Sequence, residues 1–103
     1  MELAERVNEL VSTFPPKELY NLCSQSRKSA DSVSLNVAEG STGLSDPEQI
    51  KFLRYANRSI MEIVTCLMKA KRRNYISEAT YTDLYGEYEK LSKMVQAQIG
   101  GLE

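Results

Sequence analysis

The run DPEQIKFLRYANRSIMEIVTCLMKAKRR, residues 46–73, decides the fold. Within it Leu53, Ala56, Ile60, Ile63, Val64 and Leu67 recur every three or four residues, the spacing of one helical face rather than the alternation of a strand. Asp46 is placed to cap the run and Pro47 suits the first helical position, where no N–H is needed. Gln49 stands where it can reach back as in a capping box. Lys69, Lys71, Arg72 and Arg73 crowd the far end, where the helix dipole favours cations. At 1.5 Å per residue the helix spans roughly 40 Å. Its apolar stripe has to be covered, and the flanking sequence supplies the cover.

Upstream, Ser41-Thr42-Gly43-Leu44-Ser45 is a loop by composition, and Gly40 before it is a natural left-handed helix terminator. Between Pro16 and Glu39 a second helix carries Leu19, Leu22, Cys23, Ser26, Ala30, Val33 and Val37 on one face. Part of this helix is small (Ser26, Ser29, Ala30, Ser32, Ser34), which lets a neighbour approach closely. Phe14 and Leu19 have the spacing of a hydrophobic staple. The Pro15-Pro16 pair separates this helix from a first one over residues 2–13, with Leu3, Val7, Leu10 and Val11 on its face and Phe14 following. Downstream, Asn74 suits a left-handed stop and Ser77 a cap, with Ile76 and Tyr81 at staple spacing. A fourth helix follows over 78–99, with Tyr81, Leu84, Tyr85, Tyr88, Leu91 and Val95 inward and Gly100-Gly101 as its end. No strand pattern competes.

Helices over 2–13, 16–39, 47–73 and 78–99 joined by short loops predict one all-α domain over 1–103, an antiparallel up-down-up-down four-helix bundle. The first helix is about half the length of the third. Part of the groove between the long helices is therefore expected to lie uncovered, which points to self-association.

Composition narrows the function. The 103 residues are 42% hydrophobic and 26% charged, enough apolar material for a core without disulfides or metal. Thirteen basic and 14 acidic residues give a net charge of −1, so any polyanion site has to be a local patch. There is no histidine, hence no imidazole base or metal ligand, and no glycine-rich phosphate loop. No catalytic, cofactor or metal residues are predicted, and no enzyme activity. Cys23 and Cys66 sit among apolar residues and read as reduced core cysteines. The acidic start Met1-Glu2-Leu3-Ala4-Glu5 is the reverse of a secretory leader, and no segment is apolar enough for a membrane. The expected location is the cytoplasm.

Two sets of residues are candidates for function. Lys51, Arg54, Arg58, Lys69 and Arg72 recur at helical spacing, and with Lys71 and Arg73 they give 46–73 seven cations against Asp46, Glu48 and Glu62. Such a row suits a phosphate backbone. The plainer reading is a solvated face complemented by the acidic fourth helix, whose Glu78, Asp83, Glu87, Glu89 and Glu103 outnumber Lys90 and Lys93. The second set, Asn36, Glu39 and Ser59, reads as a structural polar cluster with Arg27, Arg54 or Arg58 as the cation for Glu39. Tyr81, Tyr85 and Tyr88 suit core-edge packing, with base stacking as the alternative.

Residues 14–40 also carry a likeness. Phe14-Pro15, Glu18, Tyr20, Leu22, Gln25, then Arg27-Lys28-Ser29-Ala30-Asp31-Ser32-Val33 and Asn36-Val37-Ala38-Glu39-Gly40 lead the pattern. Phe52-Leu53, Ala56, Ser59, Glu62 and Tyr75-Ile76-Ser77 continue it in order. The whole resembles the four-helix-bundle proteins encoded in 23S rRNA intervening sequences, once mislabelled as ribosomal proteins. Ser34 stands where that family commonly has proline, Arg58 where it commonly has glycine, and the first helix is shorter. The resemblance implies no catalysis and a ring-like homo-oligomer, typically a pentamer. Distant relatives are accessory proteins of diversity-generating retroelements, which bind nucleic acid and a reverse transcriptase. The expected function is therefore a non-enzymatic oligomeric scaffold binding RNA, DNA or a reverse-transcriptase-like partner through a basic surface of the ring. The competing expectation is a protein-interaction module without nucleic-acid affinity.

Overall fold

The computed structural model describes residues 2–42 and 45–103. Met1, and Gly43 and Leu44 of the expected loop, lie outside them. The described residues form an all-α bundle of α1 (Glu2–Val11), α2 (Ser24–Glu39), α3 (Asp46–Arg72) and α4 (Glu78–Leu102). Helix α3 packs against α2 on one side and α4 on the other, and α1 lies along α2. The core runs through Val7, Val11, Leu22, Val33, Ile63, Leu67, Leu84 and Tyr88, each no more than 2% exposed.

Each helix end has a local cause. Helix α1 stops at Val11, two residues early, because two hydroxyls take the carbonyls that would continue it. Ser12 Oγ donates to the Glu9 carbonyl at 2.5 Å and Thr13 Oγ1 to the Leu10 carbonyl at 2.6 Å. The cap of α3 sits one residue earlier than expected. Ser45 is the capping residue, its hydroxyl donating to Glu48 Oε1 at 3.1 Å, while Asp46 already belongs to the helix. Between α3 and α4, Asn74 has φ 62°, and the Tyr75 N–H returns to the Ala70 carbonyl at 2.9 Å. Ser77 Oγ accepts the Thr80 N–H at 3.0 Å and caps α4. Helix α4 runs through Gly100 and Gly101, since glycine permits a stop without enforcing one.

Residues 16–23 do not form the expected opening of a single helix. Pro16–Glu18 is a 3-10 turn and Leu19–Cys23 a π-helical turn. The tight turn carries Leu19 outward to 47% exposure, so the Phe14–Leu19 staple does not form. Phe14 packs on Tyr75 instead, ring centroids 5.3 Å apart, an arrangement worth about 0.5–1.5 kcal/mol beyond its buried area.

Gly40 is not a left-handed terminator either, having φ −72° and ψ −7°. It is required by close approach. A Cβ built on it would lie 2.8 Å from Cγ and Cδ2 of Leu53, which is fully buried. The small residues of α2 let α3 in as anticipated: Ser26, Ser29 and Ala30 are buried, and Ser32 Oγ meets Ser59 Oγ at 2.8 Å.

One core group is out of place. Tyr88 is 0% exposed, and its hydroxyl finds no partner among the described residues. Burial pushes the phenol up to about 12. A buried hydroxyl without a hydrogen bond costs about 1–3 kcal/mol. Tyr88→Phe is therefore expected to stabilise the protein by about 1 kcal/mol, a rise in Tm of about 4–8 °C. A fall in Tm on calorimetry would mean that the hydroxyl has a partner after all.

Candidate functional site

The seven cations of residues 46–73 divide into two groups. Three are engaged by carboxylates of the chain. Arg73 Nη1 lies 2.8 Å from Glu18 Oε2, Arg54 Nη2 lies 3.2 Å from Glu103 Oε1, and Lys71 Nζ lies 3.9 Å from Glu78 Oε1. Lys71 also sits 4.5 Å above the Tyr81 ring, turned to α4. The complementation of α3 by α4 is real but partial. Lys51, Arg58, Lys69 and Arg72 carry no ion pair among the described residues. Lys51 Nζ lies 5.1 Å from the Phe52 ring centroid, and Arg58 Cζ lies 5.7 Å from that of Tyr55.

Arg58 and Lys69 border a groove of about 570 Å³ between α2 and α3. Its floor is polar. Ser32 Oγ and Ser59 Oγ lie 2.8 Å apart, and Asn36 Nδ2 donates to the Ser32 carbonyl at 2.9 Å and to Ser32 Oγ at 3.1 Å. Ser29 Oγ reaches Glu62 Oε2 at 3.5 Å. Lys28, Gln25 and Tyr55 complete the rim. Of the three residues expected in a polar cluster, Asn36 and Ser59 each contact Ser32 between the two helices. Glu39 is not part of it. Its side chain is exposed at the end of α2, with no ion pair among the described residues, because three residues beyond Asn36 is about 60° around the helix.

The buried carboxylate is Glu18 instead, 6% exposed. The Tyr75 hydroxyl donates to its Oε2 at 2.7 Å and Arg73 Nη1 at 2.8 Å, joining the α1–α2 connector to the α3–α4 connector. The Tyr75 hydrogen bond, helped by the Arg73 charge and opposed by burial, holds the carboxyl below its usual value of 4.5. The same bond raises the Tyr75 phenol. A lowered carboxyl contributes stability that is complete at neutral pH and is lost as pH falls through the lowered value. The raised phenol loses its contribution only as pH climbs past about 10. Tm is thus expected to be flat near neutrality and to drop below about pH 4. In Tyr75→Phe the neutral-pH Tm should fall by several degrees, and the acid-side drop should shrink. An unchanged acid limb in that variant would show that this bond does not set the titration.

The polar rim continues past Gln25 and Lys69 into a second hollow of about 460 Å³, beside Lys17, Glu18, Asn21 and Arg73. The sequence singled out neither Lys28 nor Tyr55. The available signal was Gln25, Ser29, Ser32 and Asn36 at 3-4 spacing, a polar stripe beside the apolar one. Of the tyrosines, Tyr88 is core, and Tyr81 and Tyr85 pair at 5.9 Å with Tyr85 42% exposed. Cys66 lines the groove while buried, and burial pushes its thiol up. Cys23 and Cys66 are free thiols. Among the described residues no group of three His, Cys, Asp or Glu side chains converges as a metal site, and no helix is long and apolar enough to cross a membrane.

Residues 1–97 match the family model described as 23S rRNA-intervening sequence protein. No curated protein matches the chain. The match covers all of α1, α2 and α3 and most of α4, together with the residues that build the groove. The chain belongs to the 23S rRNA-intervening sequence protein family.

Proposed function

We propose that this protein is a non-enzymatic helical scaffold that assembles with copies of itself and binds nucleic acid through the cations of the α3 face. The observation that carries this reading is the division of the basic residues. Arg54, Lys71 and Arg73 are engaged by Glu103, Glu78 and Glu18, whereas Lys51, Arg58, Lys69 and Arg72 are exposed and have no carboxylate partner among the described residues. Lys28 adds a further cation across the groove. Exposed unpaired cations along one helix suit a phosphate backbone. The likeness to ring-forming relatives supports assembly, with five copies expected. Repetition around a ring would give a chain of net charge −1 a continuous basic belt. A reverse-transcriptase-like protein is the partner that such a nucleic-acid scaffold would best serve.

A second reading rests on apolar exposure. Tyr20, Met61, Leu35 and Met94 are 89%, 72%, 62% and 62% exposed, which suits a protein-interaction module with no affinity for nucleic acid. Titration of the purified protein, its mass fixed by light scattering, against structured RNA and duplex DNA at low and moderate salt separates the two. Binding by a species of several chain masses that weakens steeply with salt is expected. An intact oligomer that binds nothing at low salt would leave the protein-interaction module.

A further inference from the structure

The groove between α2 and α3 is not uniformly basic, and its pattern narrows the ligand. Lys28, Arg58 and Lys69 stand at the rim, while Glu62 stands between Arg58 and Lys69 along α3, its one hydrogen-bond partner among the described residues being the Ser29 hydroxyl at 3.5 Å. A carboxylate among phosphate contacts is unfavourable for a ligand that presents phosphate alone. It is suitable for a ligand that brings hydrogen-bond donors between its phosphates. Asn36 Nδ2 is engaged by Ser32, which leaves its Oδ1 as the amide atom to accept from a ligand. The floor thus accepts, and the rim is cationic. Tyr55 adds an aromatic surface at the same rim, 40% exposed, T-shaped to Phe52 at 6.1 Å and with the Arg58 guanidinium over one face of its ring, so that a base stacks on the other face.

Acceptors, an aromatic surface and peripheral cations are the three requirements of an unpaired nucleotide. Exocyclic amino groups meet the acceptors, the base stacks on the ring, and the backbone meets the rim. A duplex keeps its base faces stacked inside and can offer Tyr55 nothing.

We infer that the α2–α3 groove binds single-stranded nucleic acid in preference to duplex, stacking an unpaired base on Tyr55 while Lys28, Arg58 and Lys69 hold the adjoining phosphates. The inference rests on the nucleic-acid reading above and specifies its substrate.

The test is fluorescence anisotropy with a labelled RNA of about 12 nucleotides, single-stranded and annealed to its complement, on the wild-type protein and on Tyr55→Ala and Tyr55→Phe. The expected result is at least tenfold tighter binding of the single strand. Tyr55→Ala should lose about tenfold on the single strand, the lower range for one base–aromatic stack, and little on the duplex, whereas Tyr55→Phe should keep wild-type affinity. Equal or tighter binding of the duplex, or an unchanged single-strand affinity in Tyr55→Ala, would overturn the inference while leaving the nucleic-acid function standing. Absence of binding to either form would overturn both. The strand comparison needs only the wild-type protein, so it decides even where a variant misfolds.

Discussion

Replacing Lys28, Arg58 and Lys69 together by glutamate is expected to abolish nucleic-acid binding while leaving helix content and melting behaviour close to wild type. Lys28, Arg58 and Lys69 are exposed at the groove rim, and none is in an ion pair among the described residues, so the fold loses little with them; surface substitutions of this kind usually fall within about 0.5 kcal/mol. Binding loses much more. A hydrogen bond to a charged group contributes about 1.5–3 kcal/mol, so removing even one costs tenfold or more, and the reversed charges repel phosphate. Lys71→Glu is the matching control. Lys71 faces α4, against Glu78 and the Tyr81 ring, and its loss should cost some stability and little affinity. Should the two variants lose affinity equally, only bulk charge would matter and the groove would have no special part.

Gly40→Ala is expected to destabilise the protein by about 1–2 kcal/mol, although alanine is the better helix former. The backbone at Gly40 is helical, so alanine brings no conformational strain and gains up to about 1 kcal/mol from propensity. Against this, its methyl arrives 2.8 Å from Leu53 Cγ and 3.2 Å from the Asn36 carbonyl oxygen. Leu53 Cγ is tied closely to the α3 backbone and cannot swing clear, so the two helices must separate. Overpacking of this kind costs about 1–3 kcal/mol. The clash should also appear as coupling. Leu53→Ala alone is expected to cost about 2–5 kcal/mol, and distinctly less in the Gly40→Ala background, where the new methyl fills part of the cavity. Additive effects in that cycle would show that the two residues do not compete for the same space.

How much of this was legible in the sequence depends on how local each cause is. The four helices follow from 3-4 periodicity, and Asn74 and Ser77 were readable because a left-handed stop and a serine cap act within a few residues. The irregular turn at 16–23 was not readable. It is fixed by Glu18 receiving Tyr75 and Arg73, which are 57 and 55 residues away in sequence. Gly40 could be recognised as a glycine that ends a helix, but its actual constraint is a side chain on the facing helix. The same distinction governs the site. That α3 is basic is visible in composition. Which cations stay unpaired is not, because it depends on α4 returning alongside and on Glu103 reaching back 49 residues to Arg54. Lys28 falls in phase with Gln25 and Ser32, and Tyr55 with Lys51 and Arg58, but spacing within one helix does not show that the two share a groove, since they meet only when α2 and α3 pack. Glu39 was misplaced for want of the helix phase, which turns it outward one turn after Asn36 turns in.

The most direct single measurement is the salt dependence of the binding constant for a short single-stranded RNA. Each phosphate neutralised on a single strand contributes about 0.7 to the slope of log K against log salt. Three rim cations therefore give a slope of about −2, becoming about −1.4 when Lys69 alone is replaced by glutamine, which removes one phosphate contact and leaves binding measurable. A wild-type slope near zero, or a slope unchanged in Lys69→Gln, would contradict a phosphate-binding groove between α2 and α3.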